Sequence, residues 1–99
     1  MSKTVLIVNA TPNPNEPEAL EYYSKHAGAI LKAHNGELVG KYSITKTITD
    51  KKLETNVMVM EFENSAIIEA LTKDETYQQL IPYRDKAFMQ ISINFATKI

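Results

Sequence analysis

The chain has 99 residues, of which 43% are hydrophobic and 23% charged. These values fit a single globular domain over residues 1–99 and exclude a disordered chain. Eleven basic and twelve acidic residues give a net charge of −1, and the lysines are scattered, so the clustered cationic face that nucleic-acid binding requires is not expected. Cysteine is absent, which excludes disulfides, thiolate nucleophiles and cysteine-ligated zinc.

Targeting signals are not evident in the sequence. No apolar run approaches the ~18 residues of a membrane span. The apolar stretch that follows Met1–Thr4 is shorter than the roughly 7–15 residues of a signal-peptide core. We therefore expect a cytoplasmic protein with no membrane partner.

The first segments predict a strand followed by a long helix. Val5–Val8 is a continuous apolar run, typical of a strand buried on both faces. Thr11–Asn15 contains two prolines and is expected to break regular structure, and Asn15 is expected to cap a helix that ends at Asn35-Gly36. Its apolar stripe comprises Leu20, Tyr23, Ala27, Leu31 and His34, spaced by three and four residues.

Two strands joined by a hairpin are predicted next. Glu37–Ile48 alternates between apolar and polar residues, which indicates a half-exposed strand whose polar side includes Lys41, Ser43 and Thr45. Thr49–Lys52 is a polar connection. Val57–Phe62 is apolar on both faces and predicts a second central strand.

The C-terminal third predicts helical segments and a last strand. Asn64 or Ser65 is expected to cap a helix, and Asp74 to cap a shorter helical turn. Pro82 either ends that turn or opens another. Met89–Ala96 alternates and therefore predicts a second half-exposed strand.

The predicted order β-α-β-β-α-β is that of the α+β, ferredoxin-like fold. In this fold a four-stranded antiparallel sheet has strands one and three at its centre and two helices on one face. The two segments that are apolar on both faces are the ones assigned to the centre, so the periodicity and the topology agree.

The second face of such a sheet has no helices to cover it. It would expose either Val57 and Val59 or the alternating set Met58, Met60 and Phe62. The polar residues expected beside it are Ser43, Thr45, Ser92 and Asn94. An apolar centre with a polar rim is typical of an interface or a ligand cavity. We predict a homodimer packed through these faces, and a monomer with a partly hydrated sheet is the alternative.

Several short motifs resemble one known group. They are Pro17-Glu18-Ala19, Tyr22-Tyr23, Gly36, Val59-Met60-Glu61-Phe62, Ala66, Tyr77-Gln78, Pro82 and Arg84. Together they are similar to a family of small bacterial proteins of unknown function in the dimeric α/β-barrel superfamily, which has ferredoxin-like folds. Such relatives usually carry a second glycine and an arginine near Gly36-Glu37, where this chain does not. The resemblance implies a dimer but supplies no reaction.

Five residues are candidates for ligand contacts: His26, Glu61, Arg84, Tyr22 and Tyr83. His26 lies at the flank of the helix stripe and is either solvated or directed into a pocket. Glu61 shares a face with the valines and is either a general base in a dimer cavity or a hydrated group paired with Arg84. Arg84 can hold a carboxylate or pair with Glu61 or Asp85.

Metal, cofactor and nucleophile motifs are not found. His26 and His34 lie eight residues apart, whereas a helical zinc pair is spaced by four, and His34 is expected to be structural. The three glycines form no phosphate loop, so no metal or cofactor is predicted.

Three functions remain open from the sequence. The first is a homodimer that binds a small, partly apolar molecule in a cavity. The alternative is a cofactor-free enzyme of isomerase or monooxygenase type, with Glu61 or His26 as base and Arg84 holding an anionic group. The third is an interaction module without a cavity. Whether the protein is catalytic is not decided by these residues.

Overall fold

The chain forms one four-stranded antiparallel sheet with helices on one side. A computed structural model describes residues 3–49 and 55–99. The elements are β1 (Thr4–Pro12), α1 (Pro17–Ala33), β2 (Glu37–Ser43), β3 (Asn56–Phe62), α2 (Ser65–Lys73), α3 (Glu75–Gln78), α4 (Ile81–Ala87) and β4 (Phe88–Ala96). The strand order is β2-β3-β1-β4, with β1 and β3 at the centre. The predicted ferredoxin-like α+β fold is therefore confirmed.

The core lies between the helices and one face of the central strands. Leu6 of β1 and Phe62 of β3 are buried there against Ile68 and Leu71 of α2. Phe62 and Ile68 are each only 1% exposed, and burying a side chain of this size stabilises the fold by about 1.5–3 kcal/mol. Because side chains alternate along a strand, Met60 also faces the helices.

The other residues of the central strands form an uncovered apolar face. Ile7 of β1 pairs with Val59 of β3, and Val57 pairs with Asn9. These side chains are half-buried within the single chain, because none of the helices in the described ranges packs on this side. Of the two sets considered from the sequence, the valine side is thus the uncovered one.

A bulge at Val39 changes which side chains of β2 face the helices. The pairs with β3 are Leu38–Met60 before the bulge, and Gly40–Val59, Lys41–Met58 and Ser43–Asn56 after it. Since an extra residue shifts the alternation by one, Lys41 and Ser43 face the helices. The prediction that Ser43 borders the uncovered face is wrong, and Tyr42 lies there instead, with its ring over Gly40.

Two element boundaries also differ from the prediction, and a third segment is not described. β1 continues past Val8 to Pro12, because a register shift at Thr11/Pro12 accommodates the residue that lacks an N–H. β2 ends at Ser43, so Thr45 lies outside the strand to which it was assigned. Residues 50–52 of the expected hairpin connection lie outside the described residues.

The first helix is capped differently from the expectation. Glu16 is the N-cap of α1 and makes no capping hydrogen bond through its side chain. Asn15 instead donates its backbone N–H to Asn13 Oδ1 at 3.0 Å, which forms a local turn before the helix. The helix end agrees with the prediction, because Asn35 has a φ of 63°, the left-handed conformation that stops a helix.

Two of the remaining helices, α2 and α3, begin at the predicted caps. Asn64 Oδ1 accepts from the Ile67 N–H at 3.1 Å. Asp74 Oδ1 accepts from the Thr76 N–H at 2.8 Å, and these hydrogen bonds with Thr76 hold the pKa of Asp74 below its ordinary value. Pro82 lies in the first turn of α4, so it opens a helix and does not end one.

Two glycine substitutions are expected to change stability in opposite directions. A Cβ on Gly36 would lie 2.6 Å from the buried Phe62 ring, so Gly36→Ala should lower the free energy of unfolding by about 1–3 kcal/mol. Gly28, in the middle of α1, has open space where its Cβ would be. Gly28→Ala should therefore raise the free energy of unfolding by about 0.5–1 kcal/mol. Urea unfolding measures both, and shifts of equal sign would contradict this packing.

Candidate functional site

A cavity of about 580 Å³ lies between the helices and the sheet. Side chains of all four strands, of α1, of α2 and of Tyr77 in α3 line it. Most of these side chains are apolar, among them Leu6, Leu31, Ile68 and Ile91. The site is therefore an apolar chamber on the same side of the sheet as the hydrophobic core.

The cavity follows from the mixture of side-chain sizes on α1. Leu20, Tyr23 and Leu31 reach from this helix toward the sheet, while Ala27 and Gly28 lie between them on the same lining surface. The large side chains act as spacers between helix and sheet, and the small ones leave volume unfilled. Gly28 is exposed as well as part of the lining, so it lies at the mouth of the cavity.

A chain of hydrogen bonds gives this apolar cavity a polar group. Tyr23 and Tyr77 both line the cavity. Their hydroxyl oxygens lie 2.9 Å apart. Arg84 Nη1 donates to the Tyr77 hydroxyl at 3.2 Å. The Asp74 cap places the short helix α3 so that Tyr77 meets both partners.

Burial determines the protonation of this network. Desolvation raises the pKa of Tyr23 above its ordinary value of 10.0, and the hydrogen bond with Tyr77 raises it further. Arg84 is half-buried, and its Nε lies 3.6 Å from the Asp85 carboxylate. The Tyr23 phenol is thus protonated at neutral pH, and the Asp85 carboxylate partly balances the charge of the guanidinium.

Three of the five predicted site residues form a separate cluster on the helices. The Tyr22 ring lies 4.2 Å from His26 and 4.2 Å from Tyr83, centroid to centroid. Tyr22 and His26 also line a smaller concavity of about 360 Å³ beside Thr76 and Leu80. This cluster lies beside the smaller concavity, and none of its three residues lines the larger cavity.

The other two candidates lie on opposite sides of the sheet. Glu61 is on the uncovered face, where its Cα partner is Val5, whereas Arg84 is in α4 on the helix side. The considered Glu61–Arg84 ion pair is therefore wrong, and Asp85 is the carboxylate beside Arg84. His34 Nδ1 lies 2.9 Å from the Ile30 carbonyl oxygen, a structural contact of the expected kind.

None of the five predicted site residues lines the larger cavity, and Tyr23 and Lys41 are two lining residues that the prediction missed. Tyr23 was assigned to the apolar stripe, although a buried tyrosine hydroxyl needs a partner, and this requirement is the signal that could have marked it. Lys41 was assigned to a solvated strand face, and the bulge turns it onto the cavity lining. Within residues 3–49 and 55–99, no group of three or more His, Asp or Glu side chains is placed to hold a metal ion.

Comparison with protein families gives one assignment. A family model described as a domain of unknown function, DUF1330, matches residues 4–94. The chain belongs to the DUF1330 family. This confirms the resemblance to a family of unknown function with a ferredoxin-like fold. None of the helices in the described ranges combines the length and apolarity needed to cross a membrane.

Solved structures share the fold of this DUF1330 protein. RPA0582 of Rhodopseudomonas palustris, of unknown function, has a TM-score of 0.80 and 14% identity over 99% of this chain and 83% of its own. An uncharacterised NIPSNAP domain protein from Burkholderia xenovorans has a TM-score of 0.66 and 16% identity, over 98% of this chain and 94% of its own. PA3566 from Pseudomonas aeruginosa has a TM-score of 0.64 and 14% identity, over 100% of this chain and 96% of its own. No protein with a curated description matches the chain.

Removing either cavity hydroxyl should lower stability, and Tyr77→Phe should cost more than Tyr23→Phe. Tyr77→Phe takes away the partner of both Tyr23 and Arg84, so we expect a loss of about 1–3 kcal/mol in the free energy of unfolding. Tyr23→Phe leaves the Arg84–Tyr77 bond in place and should cost about 0.5–1.5 kcal/mol. Urea unfolding of both variants tests this order, and a reversed order would contradict the network.

The raised pKa of Tyr23 predicts a loss of stability at alkaline pH. Below pH 10 the tyrosine is protonated in both the folded and the unfolded chain. Above pH 10 the unfolded chain releases this proton and the folded chain retains it, so the free energy of unfolding falls by up to about 1.4 kcal/mol per pH unit. Urea unfolding at pH 9 to 11 should show a shallower decline for Tyr23→Phe than for the natural chain, and identical declines would contradict the shift.

Proposed function

We propose that this DUF1330 protein is a homodimer that binds a small, partly apolar molecule in the cavity between its helices and its sheet. The observation that carries the proposal is an apolar cavity of about 580 Å³ whose lining includes the hydrogen-bonded Tyr23–Tyr77 pair. Ligand sites are typically apolar concavities of about 300–1,000 Å³ with a few placed polar groups. The cavity has both the size and the lining of such a site.

The lining favours an organic ligand over water. A buried water needs two to four polar partners, and most of the wall formed by Leu6, Leu31, Ile68 and Ile91 supplies none. An apolar molecule gains about 25 cal/mol for each Å² of apolar surface that it removes from water. Such a molecule also makes van der Waals contacts with the lining, in the volume that the large side chains of α1 keep open between helix and sheet.

The dimer is supported by the uncovered face of the sheet. Val5, Ile7, Val57 and Val59 form its apolar centre, and Asn94 pairs with Ile7 at its border. Monomers rarely expose an apolar patch larger than about 300–600 Å², and a surface of this kind can be covered by a second copy with the same pattern. An apolar centre bordered by polar groups is the usual anatomy of such an interface.

Ligand contact by the five residues named from the sequence remains a prediction. Arg84 contributes through Tyr77, Glu61 lies on the proposed dimer face, and the cluster of Tyr22, His26 and Tyr83 lies outside the cavity. His26 and Glu61, the two bases considered for a cofactor-free enzyme, do not line the cavity, so no observation favours that function. We likewise propose that residues 1–99 form a single domain, that the protein is cytoplasmic and that it has no nucleic-acid partner.

Blocking the mouth of the cavity should abolish ligand binding. The probe is N-phenyl-1-naphthylamine, whose fluorescence rises when it enters apolar surroundings. Gly28→Phe adds a ring where the natural chain has open space and should weaken probe binding at least about 10-fold, which corresponds to 1.4 kcal/mol. Lys25→Phe, at an exposed position of α1 that lines neither the cavity nor the smaller concavity, is the matched control. Equal binding by the two variants, or no binding by the natural chain, would overturn the cavity as the site.

A charge on the uncovered face should separate the dimer. We expect the natural chain to sediment at twice 11.2 kDa and Val59→Lys to sediment as a monomer, because its ammonium would be desolvated in the interface. Ala70→Lys places the same charge on an exposed position of α2 and should leave the dimer intact. A natural chain of monomer mass at micromolar concentration would overturn the dimer without touching the cavity proposal.

A further inference from the structure

Within the part of the chain that the structure describes, one hydroxyl hydrogen of the Tyr23–Tyr77 pair has no acceptor. Tyr23 and Tyr77 carry one hydroxyl hydrogen each, and their mutual bond uses one of the two. Arg84 cannot accept a hydrogen bond, so its contact with Tyr77 uses an oxygen lone pair and no hydroxyl hydrogen. Within residues 3–49 and 55–99 neither hydroxyl has another partner, and one donor of the pair is therefore free.

The guanidinium decides which hydroxyl keeps the free hydrogen. When Arg84 donates to the Tyr77 oxygen, it polarises the Tyr77 O–H and makes that group the better donor. The favoured direction is then Arg84 to Tyr77 to Tyr23, with the free hydrogen on Tyr23. Tyr23 is 9% exposed, which leaves this hydrogen little access to bulk water. Its raised pKa keeps the hydroxyl protonated at neutral pH.

We infer that the ligand of the cavity is an apolar molecule with a carbonyl or carboxylate oxygen, which accepts a hydrogen bond from the tyrosine pair. This inference rests on the proposed function, and it adds the chemical class of the ligand. A buried donor without an acceptor costs about 1–3 kcal/mol, so a ligand that lacks such an oxygen leaves that cost in place.

The test compares two molecules of nearly the same shape, 1-acetylnaphthalene and 1-ethylnaphthalene, which differ in one carbonyl oxygen. Each displaces N-phenyl-1-naphthylamine from the natural chain, and the ratio of their Kd values is measured. The double variant Tyr23→Phe with Tyr77→Phe removes both hydroxyls, since either single variant would leave one free donor. Tyr83→Phe removes a hydroxyl outside the cavity and is the matched control.

We expect the preference for the ketone to fall by about 3- to 10-fold in the double variant, the value of one neutral hydrogen bond, and to stay unchanged in Tyr83→Phe. If both molecules bind and the double variant has the same ratio as the natural chain, the ligand class is wrong and the cavity proposal stands. If neither molecule displaces the probe from the natural chain, the cavity proposal and the inference both fail.

A second measurement needs no variant and covers the case in which the double variant does not fold. The infrared carbonyl band of 1-acetylnaphthalene bound to the natural chain is compared with its band in hexane. A band at lower wavenumber shows that the carbonyl accepts a hydrogen bond in the cavity. A band at the hexane position overturns the inference.

Discussion

The two-residue alternation of the central strands is the constraint from which the rest of the structure follows. β1 and β3 each present one apolar row to the helices and another to the opposite side, because successive side chains of a strand point to opposite faces. The helices cover one row, with Leu6 and Phe62 in the core. The other row, with Ile7 and Val59, is left uncovered. The core and cavity therefore lie on one side of the sheet, and the proposed dimer contact lies on the other.

Tyr77 connects the packing of the chain to the chemistry of its cavity. The short helix α3 exists because Asp74 caps it, and it brings the Tyr77 hydroxyl between Tyr23 and Arg84. Two phenols and a guanidinium would be costly to bury singly. Joined by hydrogen bonds, they are retained beside an apolar chamber. One polar network thus stabilises the contact between the helices and also supplies the proposed ligand donor.

Much of the fold could be predicted from local chemistry, and less of the site. The caps Asn64 and Asp74 act over three residues or fewer, so their signals are complete in the sequence. The bulge at Val39 could not be predicted, because it depends on the register between β2 and β3. That one residue moved Lys41 from a supposed solvent face to the cavity. The site was similarly misjudged at Tyr23, whose hydrogen-bond partner Tyr77 is 54 positions away in the chain.

By itself, the sequence determined the element order, the placement of the apolar strands at the centre and the face of α1 that is turned toward the sheet. These features follow from periodicity and backbone preferences that act between near neighbours. Only the tertiary structure decided that α1 is held away from the sheet, that Tyr23 meets Tyr77, and that Glu61 and Arg84 lie on opposite sides. The reason is that a cavity and a hydrogen-bond network are made of distances between residues remote in the chain, and no local pattern specifies those distances.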